Sequence, residues 1–125
     1  MLVLRSESFA AIKNEAQPLA AAHWNEVEAP LHGQARYRID TARYLHLEAL
    51  HMLHISAARQ HDKSLAGYAA FTLVPCPHRA GILLAALDGL YLAPKTRGGL
   101  TALRLLRHAE AALQQRGAGL VQYSS

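Results

Sequence analysis

"LYLAPKTRGGLTALRLLRHAE", Leu90 to Glu110, passes from an apolar run through Pro94, Gly98 and Gly99 straight into a strongly periodic segment. Ala102, Leu105, Leu106, Ala109, Ala112 and Leu113 fall on one arc of a helix, with Arg104, Arg107, His108, Ala111, Gln114 and Gln115 opposite. Gly117 is a natural stop for that helix. Upstream, Ile82 to Leu92 is apolar almost throughout, as a strand covered on both faces would be, and reads as the central strand. Downstream, Gly119 to Ser124 reads as one more strand. Strand, glycine turn, helix and strand together have about the length of a right-handed crossover unit.

A helix that opens beside glycines directly after a strand aims free backbone N–H groups and the positive end of its dipole at one point, which suits a phosphate. Glycine permits close approach of the main chain, Arg97 adds a charge-assisted contact and Lys95 a longer-range one. Two readings stand side by side: an anion-binding mouth, or a tight strand-to-helix turn that needs Gly98 and Gly99 for geometry alone. The stretch is not a P-loop, because no Gly-Lys-Ser/Thr follows, and it lacks the G-x-G-x-x-G dinucleotide pattern.

Working back toward the start, Leu2 to Arg5 reads as a short strand and Phe9 to about Val27 as helix, with Pro18 a potential break and Trp24 an apolar anchor. Ala29 to Arg38, with Pro30 and Gly33, reads as loop. Asp40 then caps a helix whose Ala42, Leu45, Ala49, Met52 and Leu53 share a stripe, ending near Leu53. Ile55 to Gln60 and Leu65 to Val74 read as two strands joined by the polar turn "HDKS", and "PCPHRAG" as loop. The pattern predicts an α/β domain over residues 1–125, its mixed sheet antiparallel early and parallel or splayed at the end.

Composition sets the outer limits. A chain of 125 residues, about half apolar, suits one core but not two. No apolar run approaches the ~20 residues of a membrane-spanning helix, and no leader pattern opens the chain, so a cytoplasmic protein without a membrane partner is expected. Cys76, alone between Pro75 and Pro77, has no partner for a disulfide or a metal. The net charge of +4 is scattered, without a basic block or interleaved aromatics, so it suits an anionic small ligand as well as nucleic acid and decides nothing alone, though a nucleic-acid partner is not expected.

"LDGLYLAPKTRGGLTALRLLRHAEAALQQRGAGLVQYS" resembles the acyl-CoA-binding core of the GNAT superfamily of N-acetyltransferases. There a central strand ends in hydrophobic-x-hydrophobic-x-Pro, a motif of the form Arg/Gln-x-x-Gly-x-Gly/Ala wraps the pyrophosphate of coenzyme A, and an amphipathic helix follows. Arg97 matches the first motif residue and Ala102 the last, while Leu100 stands where the inner glycine usually stands. Upstream, Leu65, Ala66, Gly67 and Tyr68 are similar to a pattern that opens the third strand in short acetyltransferase-like proteins of bacteria and phages.

The resemblance implies acetyl-CoA as cofactor, held in a V between splayed fourth and fifth strands. Leu90, Tyr91 and Leu92 would offer backbone groups to the pantetheine arm, and Arg97, Gly98, Gly99, Leu100, Thr101 and Ala102 would surround the pyrophosphate. Acetyl transfer to an amine needs a base, a polarised thioester carbonyl and a protonated leaving thiolate. Asp88, inside an otherwise apolar strand, is the candidate base, its pKa expected to rise with burial; the other reading is a carboxylate that only bonds backbone or an arginine. The family fold continues past its fifth strand with a helix, often carrying a tyrosine general acid, and two more strands. A chain ending at Ser125 is expected to lack these, and its exposed last strand to pair with a second copy as a homodimer.

His46, His51, His54 and His61, with Glu48 and Asp62, look ligand-rich, but helical spacing separates His46 from His51, so no metal site is expected and surface or boundary positions are. His108 is expected in solvent, and His23 beside Trp24 either lines a substrate groove or packs between helices. Two functions follow: an N-acetyltransferase acting on a primary amine of a small molecule, peptide or protein lysine, or a catalytically inactive GNAT-like binding protein.

Overall fold

The computed structural model describes residues 2–23, 39–76, 78–96 and 100–123, with the side chains of His23 and Lys95 left aside. Five strands form one sheet in the order β1-β2-β3-β4-β5: β1 (Val3–Ser6), β2 (Leu53–Arg59), β3 (Leu65–Pro75), β4 (Leu83–Leu92) and β5 (Ala118–Gln122). The first four pair antiparallel and β4 pairs β5 in parallel, as the early hairpins and the late crossover predict. Helices α1 (Phe9–His23) and α2 (Thr41–Ala49) cover one face, and α3 (Thr101–Gln115) covers the other. The expected extension of α1 to Val27, Trp24, the loop Ala29–Arg38, the glycine pair and Ser124 lie outside the described residues.

The core has two halves, one on each face of the sheet. Phe9, Ile12, Ala16 and Ala20 recur at helical spacing along α1 and meet Tyr44 of α2, Leu53 and Ile55 of β2, and Tyr68 and Ala70 of β3. On the opposite face Leu105, Ala109 and Leu113 of α3 press on Phe71, Leu73, Ala85 and Leu92. Burying a side chain of this size is worth roughly 1.5–3 kcal/mol, so these two stripes fix the helices to the sheet. Pro18 sits inside α1 without breaking it; it is exposed, so the missing N–H bond faces solvent.

Several expectations are corrected. The central strand is β3, not β4: β2 and β3 are buried along most of their length, whereas in β4 only Ala85 and Leu92 are fully buried. The second helix ends at Ala49, not Leu53, because His51 takes a left-handed backbone with φ of 59° and Leu53 pairs with Thr72 in the sheet. Its buried residue is Tyr44, while Ala42 and Ala49 of the expected stripe are exposed; the larger ring takes the core.

Gly67 shows how tightly β3 and β4 approach. A Cβ there would lie 2.8 Å from the Tyr91 carbonyl oxygen and 2.5 Å from Leu92 Cδ2, so a side chain would force the strands apart.

Candidate active site

The feature that builds the site is a β-bulge. Phe71 pairs with Leu87 and Ala70 with Gly89, which leaves Asp88 as an extra residue in β4. Before the bulge, Ala85 and Leu87 face α3; after it, Leu90 and Leu92 do. One inserted residue therefore shifts the alternation, and Tyr91 joins the core on the α1–α2 face. On that face the Tyr44 hydroxyl donates a hydrogen bond to Asp88 Oδ2. The Tyr91 ring folds back over Gly89, where a Cβ would lie 2.5 Å from its Cε2, and stands 5.0 Å from the ring of Tyr68.

Asp88 is exposed rather than buried as the apolar run suggested. The bulge is the physical reason: it interrupts the alternation of β4, and its extra residue is not packed into either core half. The pair Tyr44–Asp88 gives the tyrosine a pKa pushed well above its ordinary value, by burial first and then by the hydrogen bond to the carboxylate.

Beyond Leu92 the chain is pinned to β3, with the Ala93 amide donating to Ala66 O at 2.7 Å and Thr96 Oγ1 to Ala93 O at 2.8 Å. A short 3-10 turn, Pro94–Thr96, leads toward α3. That helix starts after Leu100, which offers no side-chain cap, and its first turn carries no acidic residue. Among the described residues, no N-cap side chain gives the opening amides at Thr101 and Ala102 the oxygen that commonly satisfies a helix start. Leu100 is 66% exposed, so its side chain is directed to solvent rather than packed into the fold. Arg97, Gly98 and Gly99 lie outside the described residues. The donor set that is described, uncapped amides with no competing carboxylate in the turn, fits a diphosphate. β5 pairs β4 from Leu83 to Ala86, opposite Ala118 to Gln122, so the described pairing stops short of the half of β4 that carries Asp88, Leu90, Tyr91 and Leu92.

A second polar cluster lies under α3 and escaped the sequence. His54, 5% exposed on β2, has Nε2 2.9 Å from Ser56 Oγ, which lies 2.8 Å from His108 Nδ1. His54 is therefore not at a surface or boundary, and His108 is half-buried rather than in solvent. His108 stands three residues after Leu105 and four before Ala112, on the flank of the buried arc, so the spacing carried the signal. Burial, with Arg116 and His108 nearby, holds the His54 pKa down to about 4. His46, His51 and His61 are exposed, and among the described residues no three His, Cys, Asp or Glu converge as metal ligands. No described helix is long and apolar enough to cross a membrane.

Tyr44 is the site residue that sequence reasoning missed. The stripe expected for α2 ran through Ala42 and Leu45, while Tyr44 and Leu47, three apart, formed the competing arc.

No sequence-family model matches the chain, and no curated protein matches it. Solved structures do. A ribosomal-protein-alanine N-acetyltransferase from Brucella melitensis superposes with a TM-score of 0.72 at 20% identity, over 100% of this chain and 80% of that one. A predicted acetyltransferase with acetyl-CoA from Clostridium acetobutylicum gives 0.72 at 14% identity, over 100% and 81%. A GNAT family acetyltransferase from Staphylococcus aureus gives 0.72 at 8% identity, over 99% and 86%. Over its whole length the chain has the fold of these acetyltransferase structures, with an antiparallel sheet whose fourth strand pairs a fifth in parallel.

Proposed function

We propose that the protein is an N-acetyltransferase that moves an acetyl group from acetyl-CoA to a primary amine. The observation that carries the reading is the start of α3, without a side-chain cap at Leu100, next in chain order to a bulged strand that presents a carboxylate. The opening amides at Thr101 and Ala102 hold the diphosphate, joined by Arg97 and by the backbone at Gly98, Gly99 and Leu100. The backbone of Leu90, Tyr91 and Leu92 lies along the pantetheine arm. Similarity to a structure with acetyl-CoA supports that choice of cofactor.

When bound, acetyl-CoA supplies an activated acetyl thioester: a nitrogen–carbon bond forms as the carbon–sulfur bond breaks, and sulfur leaves with the electron pair and takes a proton from water. Asp88 accepts the proton lost by the amine nitrogen, directly or through one water, which exposure of the carboxylate permits. A backbone N–H of the bulged strand polarises the carbonyl. The acceptor is a small molecule, a peptide or a protein lysine; all three carry the same reacting group.

The test is turnover across a panel of amines, read as release of free thiol, in the wild type and in Asp88→Asn. The reading predicts a 10²- to 10⁴-fold fall in rate for the variant, the usual weight of a positioned base, with acetyl-CoA binding retained. Binding of acetyl-CoA without thiol release for any amine would favour an inactive binding protein, and wild-type turnover by Asp88→Asn would remove this residue from the mechanism.

A further inference from the structure

We propose that Tyr44 is a positioning residue for Asp88: its hydroxyl holds Oδ2, and the other carboxylate oxygen is left to take the proton from the amine. The inference rests on the proposed function, because it assigns a partner to the base named there.

Asp88 needs such a partner for a geometric reason. It is the exposed extra residue of a bulge, and nothing in regular strand pairing fixes the direction of its carboxylate. Tyr44 supplies a fixed point. Its ring is 8% exposed and packs edge-on against Phe9, with centroids 5.0 Å apart and planes at 89°. Phe9 is fully buried at the start of α1, where its amide donates to Glu48 of α2. The helix that carries Tyr44 is capped by Asp40, whose Oδ1 accepts from the Arg43 amide at 3.1 Å. A phenol rigid at both ends of its attachment can fix a carboxylate that its own strand leaves loose.

The chemistry assigns Tyr44 a single role. Burial and the carboxylate push its pKa far up, so it remains a donor throughout the working range and does not exchange protons with the amine. It orients the acceptor while the proton moves from nitrogen to Asp88, the nitrogen–carbon bond forms and the electron pair leaves on sulfur. Sequence distance hides the pairing: the two residues are 44 positions apart and belong to different layers.

Tyr44→Phe keeps the ring against Phe9 and deletes only the hydroxyl. The expected result is a fall in kcat of about tenfold with the KM for acetyl-CoA unchanged, and no additional loss when Tyr44→Phe is placed on Asp88→Asn. A purely structural role would instead lower stability and multiply with the Asp88 loss. Loss of rate in Asp88→Asn with none in Tyr44→Phe overturns this inference alone; wild-type turnover in Asp88→Asn overturns the base assignment and this inference with it. A second readout needs no turnover. In urea unfolding, the cost of Tyr44→Phe should shrink when Asp88→Ala is already present, and equal costs in the two backgrounds would contradict the contact.

Discussion

Asp88 and His54 illustrate how one inserted or one buried residue sets chemistry. At Asp88, a single extra residue turns a strand of alternating faces and brings a carboxylate to the helix face where Tyr44 meets it. At His54, burial beneath α3 opposes the imidazolium, and Arg116 and His108 add like charge, which together hold its pKa near 4 against an ordinary 6.5. The sign follows directly: between those values the unfolded chain binds a proton that the folded protein excludes, so stability is full above 6.5 and is lost as pH falls toward 4. Urea unfolding of the wild type from pH 7 to 4, compared with His54→Gln, should therefore show a pH-dependent component of roughly 2–3 kcal/mol that the variant lacks. Equal slopes in both proteins would contradict a neutral buried histidine. Ser56 has one hydroxyl proton to give, so the pair His54–Ser56–His108 is satisfied when one ring donates to Ser56 and the other accepts from it.

Helices are where the sequence was read most surely, and their edges are where it failed. The α3 arc was visible because Leu105, Ala109 and Leu113 repeat every four residues within a longer apolar arc, and hydrophobic periodicity is a cumulative signal. The short α2 offered only nine residues, so two arcs competed, and tertiary packing against Phe9 selected Tyr44 over the alanines. Its end was equally hidden, since a left-handed His51 has no residue-type signature comparable to glycine. The Asp88 carboxylate was legible as an oddity in an apolar strand, but the bulge depends on pairing with β3 and leaves no local trace. Helix α1 depends on a similar long-range contact. Glu48 of α2 accepts from the amides of Phe9 and Ala10, the latter at 3.3 Å, and so caps a helix 38 residues away in sequence. Glu48→Ala should cost about 1–2 kcal/mol in urea unfolding, with Glu48→Gln losing less because it retains an acceptor. An unchanged midpoint in the alanine variant would show that the cap carries no weight.

Across the whole molecule, the two faces of the sheet divide the work. The α1–α2 face carries Asp88 and its tyrosine, the α3 face carries the helix start proposed to hold the diphosphate, and β4 lies between them as the shared strand. Arg59 ties the opposite side together: it reaches Glu7 before α1 at 2.8 Å and Glu15 within α1 at 2.7 Å, and holds the Glu7 carboxyl below its usual range. The mixed sheet and its crossover were legible from the order of strands and helices alone, whereas the position of β4 beside the centre was not, because continuous apolar sequence does not distinguish a middle strand from its neighbour. In the proposed function, acetyl-CoA spans from the α3 amides to Asp88 and unites these parts. Calorimetric titration of the folded protein with acetyl-CoA measures this most directly. Saturable one-to-one heat, accompanied by a rise in melting temperature, is the predicted result; no heat and an unmoved melting temperature at saturating acetyl-CoA would contradict it.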